Sequence, residues 1–412
     1  MVSGVDLSNF EGLLKQLYTD DRIENEVYKD HPLLAMIPKM EAFEGESWKV
    51  PVIYGNPMGR SRTFSVAQTQ SLITGVLPAA FVLTRVKDYS ITTVDNEVLL
   101  ASKSNKGAFL EAASTAMDGA LQSLSNNTAV SLYRTVAGVR ATVDVEPTTD
   151  TGTFTIQLAQ PEEITNFEVN QLLVIYQNPT GGSARSSDGS QVEFPIAAID
   201  RDNGIITITG DYDGSGTIAA GDSIFCKGDR GLSISGLASW IPLVAPTAGD
   251  DHFGVDRSVD VTRLAGIRQD GRGKPIEQAL QDLLSRVARE GGAPDMIFMN
   301  YAQWNDLNLS LGSKVQIVDL SVGKVGFRSL EIQGPKGPVK CVADQDCPAG
   351  LAYALTMKTL QLGSLGKVVR VFNTDNMTWL RQSASDGVEV RMCSYAQLAC
   401  KAPGYNGVVQ LS

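Results

Sequence analysis

Chemistry-bearing residues are scarce in this chain. Its 412 residues hold two histidines and five cysteines. His31 precedes a proline and His252 lies in the polar run G-D-D-H-F, so a solvated or satisfied ring is expected at each, not a catalytic base. H-E-x-x-H, G-x-S-x-G and G-x-x-x-x-G-K-[ST] are absent, and no G-x-G-x-x-G stands between a strand and a helix. Zinc-hydrolase, α/β-hydrolase and P-loop chemistry therefore lack their minimum residues. The cysteines (Cys226, Cys341, Cys347, Cys393, Cys400) are odd in number and none are spaced C-x-x-C. That removes a disulfide framework and a structural zinc site, and leaves free, buried thiols as the expectation. The start, M-V-S-G-V-D-L-S-N-F, has neither a basic n-region nor an apolar h-region, and apolar runs such as Leu172–Tyr176 cannot span a bilayer. A soluble protein made in a reducing cytoplasm is expected. Positive charge is short as well: 35 Lys and Arg face 46 Asp and Glu, a net charge of −11. A dedicated nucleic-acid binder has the opposite, basic field.

What is present suits a folded, β-rich protein of two or three packed units. Hydrophobic residues make up 43% and charged residues 20%, which is a globular mix, and 39 glycines supply tight turns. Near the start, Ser8 and Glu11 form a capping box ahead of Phe10, Leu13, Leu14 and Leu17 at helical spacing. This arm has little core of its own and is expected to lie on a partner or a neighbouring domain. W-K-V-P-V-I-Y-G, a Gly-rich tip with Arg60 and Arg62, and a strand-like run at Phe64–Val66 read as a long hairpin. A hairpin this poor in large apolar residues needs a surface to lie on. Phe81 to Thr93 alternates as a strand. Asn105 can then cap a helix whose stripe is Leu110, Ala113, Met117, Leu121, Leu124, Thr128 and Leu132, closed by Gly138.

Short strands with turn signals fill Thr153 to Gly231, and Asn203-Gly204 is the dipeptide of a type I′ hairpin. A helix from Pro275 presents Ile276, Ala279, Leu280, Leu283, Leu284 and Val287 on one face and ends at Gly291-Gly292. The strand P-D-M-I-F-M-N and a short helix over Ala302–Leu309 come next, and further strands run from Val315 onward. Asp375 to Ser412, with Trp379, Arg381 and the turn P-G-Y-N-G, is β-type and carries no catalytic group.

Taken in order, the arm, the hairpin at Trp48–Gln70 and the long helix resemble the N-arm, E-loop and spine helix of tailed-phage major capsid proteins. A-R-E-G-G-A-P-D-M-I-F-M-N-Y-A-Q-W-N-D-L, V-A-D-Q-D-C-P-A-G-L-A-Y-A-L and R-M-C-S-Y-A-Q-L-A-C-K-A-P-G-Y-N-G are similar to that family's axial unit, its return, and its final peripheral strands. The resemblance implies an α+β fold of the HK-ninety-seven-like type. It divides the chain into an arm (1–40), an E-loop hairpin (41–80), a peripheral domain with the spine helix (81–140), an inserted β domain (141–235), an axial domain (236–345) and returning axial and peripheral strands (346–412). It also implies hexamers and pentamers of the chain tiling an icosahedral phage head around double-stranded DNA, assembled in a bacterial cytoplasm, with portal, scaffolding or decoration proteins as further partners. An acidic shell suits such contents, because a lining that gripped phosphates would hinder packing and ejection. No catalytic residue is required.

Two sets of site residues are singled out. Asp211, Asp213, Ser215, Thr217 and Asp222 give D-x-D-x-S-G-x-I-x-x-x-D, close to the oxygen-ligand spacing of a calcium loop, although Asp replaces Glu at the last position and the flanks are β-type. An Asp/Gly-rich connection is the plainer reading. In the hairpin, Arg60 and Arg62 could pair with carboxylates of a neighbouring subunit, and Trp48, Phe64 and Phe81 could anchor on it. Solvated charges and packing within one chain read the same from sequence. The basic residues from Arg257 to Arg289 alternate with acids, which favours subunit salt bridges over a DNA track. An encapsulin-like compartment, a secreted calcium-binding β module and an enzyme are the competing classes.

Overall fold

The computed structural model describes residues 27–28, 30–55, 59–73, 77–95, 106–148, 150–214, 217–312, 317–322, 325–372, 380–382 and 386–411. The capping box at Ser8 and Glu11, the Asn105 cap, Ser215 and Trp379 lie outside them. The side chains of Leu110 and Ala113 are likewise not described.

The long helix forms at Lys106–Tyr133 and spans about 42 Å at 1.5 Å per residue. Its described stripe, Met117, Leu121, Leu124, Thr128 and Leu132, is buried as the spacing predicts. Hydroxyls on this face bond back along the helix: Thr128 donates to the Leu124 carbonyl at 2.8 Å and Ser131 to that of Asn127 at 2.6 Å, so neither is an unpaired polar group in a core. Gly236 lies against the helix's last turn. A Cβ there would stand 2.3 Å from the Leu132 carbonyl oxygen, so only glycine allows its N–H to reach the Arg134 carbonyl at 3.0 Å.

That helix packs on a six-stranded sheet built around the 14-residue strand Gly387–Cys400. Val86–Asp95 pairs along one edge of it. Leu360–Ser364, Arg370–Val371 and Leu380–Arg381 share the other edge, and Lys39–Met40 adds in parallel to Leu360–Ser364. Val27, Leu33, Leu34 and Ile37 of the arm segment are buried in the same core, so the described part of the arm lies on its own body.

A seven-stranded sheet forms the second layer of the body. Its order is Ile267–Asp270, Gly407–Gln410, Leu351–Leu355, Met296–Met299, Gly337–Ala343, Val325–Gly334 and Ile317–Val322. The helix Ile276–Arg289 covers it and buries Ala279, Leu280, Leu283, Leu284 and Val287, the face read from the sequence. Tyr301–Leu311 packs beside it, capped by the Asn300 side chain accepting from Ala302 N–H at 3.2 Å.

The inserted β module has a core of its own. Six strands order as Ala141–Thr142, Ser223–Cys226, Leu172–Tyr176, Phe194–Asp200, Ile205–Thr209 and Thr153–Gln157, and their inward residues, Phe154, Ile156, Phe194, Ile206, Ile208 and Ile224 among them, form one separate cluster. The turn at Asn203-Gly204 is not type I′. That turn needs positive φ at both central residues, whereas only Gly204 has it, at +67°. The loop is instead the four residues between Asp200 and Ile205, held by the Asp200 carboxylate accepting from the N–H of Asp202 and Asn203 at 3.1 and 3.2 Å.

The single strand expected over Phe81–Thr93 is two, Leu77–Thr84 and Val86–Asp95. They break at Arg85, whose guanidinium donates to the Phe43 carbonyl and lies 4.9 Å over the Phe43 ring. The first strand serves the hairpin and the second the body sheet.

Candidate assembly surface

The hairpin pairs Ser47–Gly55 with Leu77–Thr84, a ladder about 26 Å long at 3.3 Å per residue. Its lower half alternates inward with Val50, Val52, Phe81 and Leu83, all buried. Phe81 meets Trp240 edge-to-face at 4.9 Å, and Trp48 meets Phe43 at 5.7 Å. Two of the three expected anchors, Trp48 and Phe81, thus pack within their own chain. Arg263 donates to the Tyr54 carbonyl at 2.6 Å and Val82 N–H to that of Phe253 at 2.9 Å, fixing the direction in which the hairpin leaves the body.

The upper half is different. Phe64–Val66, read as strand, opens a helix at Phe64–Ile73, and that helix buries no residue. Phe64 is 82% exposed, Leu72 85% and Ile73 77%. Ten helical residues without packing are below the length that is stable alone in water, and clustered exposed apolar side chains mark an interaction surface. Arg60 and Arg62 stand exposed beside it. Neither makes an ion pair among the described residues.

A buried polar knot ties the arm to the body. His31 Nδ1 is 2.6 Å from Asp346 Oδ2, and its Nε2 is 2.9 Å from Asn126 Oδ1 on the long helix. Asp344 accepts from Leu33 N–H at 3.1 Å, from the Tyr133 hydroxyl at 2.8 Å and from Asp346 N–H at 3.0 Å. Burial, then the charge of Asp346, pushes the Asp344 carboxyl up to about 7. Burial works against the His31 cation, but the Asp346 hydrogen bond and charge outweigh it and raise the ring's pKa. Nothing in H-P-L-L or D-Q-D signals this knot, because its members are some three hundred residues apart.

Both raised groups hold protons in the folded state that they release on unfolding, so stability falls as pH rises through their folded values. His252 acts oppositely. Burial and then Arg257 lower it from 6.5 to about 3, so its effect is confined to pH below 6.5. Above pH 6.5, melting temperature is therefore expected to fall as pH rises, and the fall to shrink in His31→Gln, as scanning calorimetry would record.

The described residues read as a calcium loop have partners within the chain. Asp222, its closing ligand, is buried and held by Arg185, with contacts of 2.7 and 2.8 Å, and also accepts from Ala219 N–H at 2.8 Å. Asp211 accepts from Gly152 N–H at 2.5 Å, and Thr217 Oγ1 from Ser186 N–H at 3.2 Å. A guanidinium thus supplies the positive charge at the position where calcium was expected, and no group of three or more His, Cys, Asp or Glu among the described residues could hold a metal. The alternating charges from Arg257 to Glu290 pair mostly within the chain: Arg257 with Asp250 at 3.0 Å, Arg272 with Asp270 at 2.9 Å and Lys274 with Asp282 at 2.5 Å. All five cysteines are free. No described helix is long and apolar enough to cross a membrane.

A projecting hairpin, a long helix across one sheet, a second helix-covered sheet and an inserted module make up the HK-ninety-seven-like α+β capsid fold. Among solved structures, the chain is similar to one in the capsid asymmetric unit of cyanophage A-1(L), with 16% identity, a TM-score of 0.51 and 92% of each chain covered. Lower scores relate it to the holo-SrpI encapsulin complex of Synechococcus elongatus PCC 7942 (8% identity, TM-score 0.44, covering 97% of this chain and 94% of that one) and to Mycobacterium phage Bobi (10%, 0.41, 93% and 91%). The cyanophage likeness establishes the fold. No family model and no curated protein matches the sequence.

Proposed function

We propose that the chain is the major subunit of a tailed-phage head, assembling with copies of itself into hexamers and pentamers of a closed shell around DNA. The observation that carries this reading is the hairpin helix Phe64–Ile73, a secondary-structure element with no buried residue on a fold shared with a capsid chain. Such an element gains its packing from another copy, so assembly and stability are linked. The net charge of −11 suits a container that encloses DNA without gripping it. The role is structural and needs no catalytic group. The virion is then its location, the host bacterial cytoplasm its place of assembly, and portal, scaffolding or decoration proteins its further partners. Negative-stain microscopy of the purified chain is expected to show uniform closed particles or capsomers. A monomer under every assembly condition would sink the reading, and co-purified enzyme cargo in place of DNA would redirect it to an encapsulin-like compartment.

In the same reading the Asp211–Asp222 segment works without calcium, through Arg185. Melting curves in excess calcium and in chelator are expected to coincide, while Arg185→Ala lowers the melting temperature by leaving the buried Asp222 carboxylate unpaired. A rise in melting temperature with calcium that Asp211→Ala and Asp213→Ala abolish would restore the calcium loop.

A further inference from the structure

A groove of about 930 Å³ runs between the long helix and the inserted module. The helix contributes Gln122 and Asn126, the body strand Asp88, and the module Glu168 and Asp229, while Asp30 and Asp346 also line it. Five carboxylates and one cation, Arg140, line it. Arg140 is buried and paired with Asp229 at 3.2 Å, Asp346 is held by His31 at 2.6 Å from outside the groove, and Glu168 has a surface pair with Arg201. Burial raises the pKa of both Asp88 and Asp229, and the Asp229 charge adds to the effect at Asp88. The lining is thus rich in acceptors, with side-chain amides and the hydroxyls of Tyr89, Ser90, Ser123, Thr165 and Tyr301 as its other polar groups. The wall built by the module belongs to the most acidic part of the chain: residues 141–235 hold fourteen Asp and Glu against four Lys and Arg, nearly the whole net charge of −11.

The hairpin offers the complement. Arg60 and Arg62 are exposed and without an ion pair among the described residues, at the end of an element that has no packing partner for its helix. Gly59 sits against Ser71 of that helix, where a Cβ would come within 2.7 Å of the Ser71 Cβ, so the arginine-bearing loop and the helix form one tip. Guanidinium groups suit a site of carboxylates and side-chain amides, because each fork can satisfy two acceptors at once.

We infer that this groove receives the Arg60/Arg62 hairpin tip of a second copy of the chain, with the inserted module forming half of the receiving wall. The inference rests on the shell reading and assigns the module a task within it. The module steers the tip electrostatically and closes one side of its seat. Raised salt loosens the contact.

Charge exchange in the full chain tests it. Arg60→Glu with Arg62→Glu, and separately Asp30→Arg with Glu168→Arg, are each expected to cut the assembled fraction at least about tenfold by sedimentation. The fourfold variant, with both charges exchanged, is expected to recover it. All four positions are exposed, and the Glu168–Arg201 pair at 3.2 Å is a surface pair of little energetic weight. Melting curves near wild type would certify that the doubles are folded. Wild-type assembly of the Arg60/Arg62 double, or two failing doubles that the fourfold variant does not rescue, would overturn the groove while leaving the shell standing. A wild-type chain that never assembles overturns both.

Discussion

Trp240→Ala is expected to destabilise the chain by about 3–5 kcal/mol, the range for an aromatic removed from a packed core. Trp240 is fully buried at the end of the short helix Leu237–Trp240. Its ring meets Phe81 of the hairpin at 4.9 Å, and His252 and Phe253 of the adjoining ribbon at 4.8 and 5.7 Å. Its Nε1–H donates to the Leu398 carbonyl of the central strand at 3.1 Å. One side chain therefore joins the hairpin base, the ribbon and the body sheet. Truncation leaves a cavity where the three meet and removes a hydrogen bond of about 1 kcal/mol. Trp240→Phe keeps most of the aromatic contact and should cost roughly half as much. Chemical denaturation of both variants separates the contributions, and a loss below about 1 kcal/mol for the alanine variant would mean that the hairpin base is held elsewhere.

Asn406→Ala is expected to cost about 3–5 kcal/mol although it removes few atoms, because it orphans buried backbone groups. The side chain is fully buried. Its Oδ1 accepts from Thr356 N–H at 2.7 Å, and its Nδ2 donates to the Ala402 carbonyl and to Thr359 Oγ1, both at 3.0 Å. These partners mark two places where the chain crosses between the body sheets. Thr356–Thr359 carries it from Leu351–Leu355 to Leu360–Ser364, and Ala402–Asn406 carries it from Gly387–Cys400 to Gly407–Gln410. A single amide clips both crossings together. Asn406→Asp should be comparably harmful, since an acceptor-only side chain cannot serve the Ala402 carbonyl. Equilibrium unfolding in denaturant measures either loss, and an alanine variant within about 0.5 kcal/mol of wild type would contradict this account.

These two residues also mark where sequence reading reaches its limit. The face of Ile276–Arg289, the described stripe of Lys106–Tyr133 and the separate β module were all legible, because local periodicity alone decides which side of an element is buried. Asn406 was hidden in an ordinary Asn-Gly turn, since two of its three partners, Thr356 and Thr359, lie about fifty residues upstream. Phe64–Val66 looked like strand because aromatic and β-branched residues favour sheets, yet no strand is there to pair with it. Asp222 marks a similar limit: spacing offers a carboxylate, but cannot tell whether a guanidinium thirty-seven residues earlier already holds it. The Arg60 and Arg62 tip was found from sequence, whereas the groove was not. Its lining is drawn from eight separated stretches between Asp30 and Asp346, and only the fold brings them together.

The placement of Gly387–Cys400 and Gly407–Gln410 sets an order of events during synthesis. The first is the central strand of one body sheet and the second lies inside the other, so neither sheet can close while these residues are still in the ribosomal tunnel. The β module, whose strands all fall between residues 141 and 226, is complete some 160 residues earlier. Each nascent chain is thus expected to carry a finished acidic bead on an open body, charged against its siblings. Copies on one messenger would be kept apart until the last strands arrive and the hairpin has a partner fit to receive it.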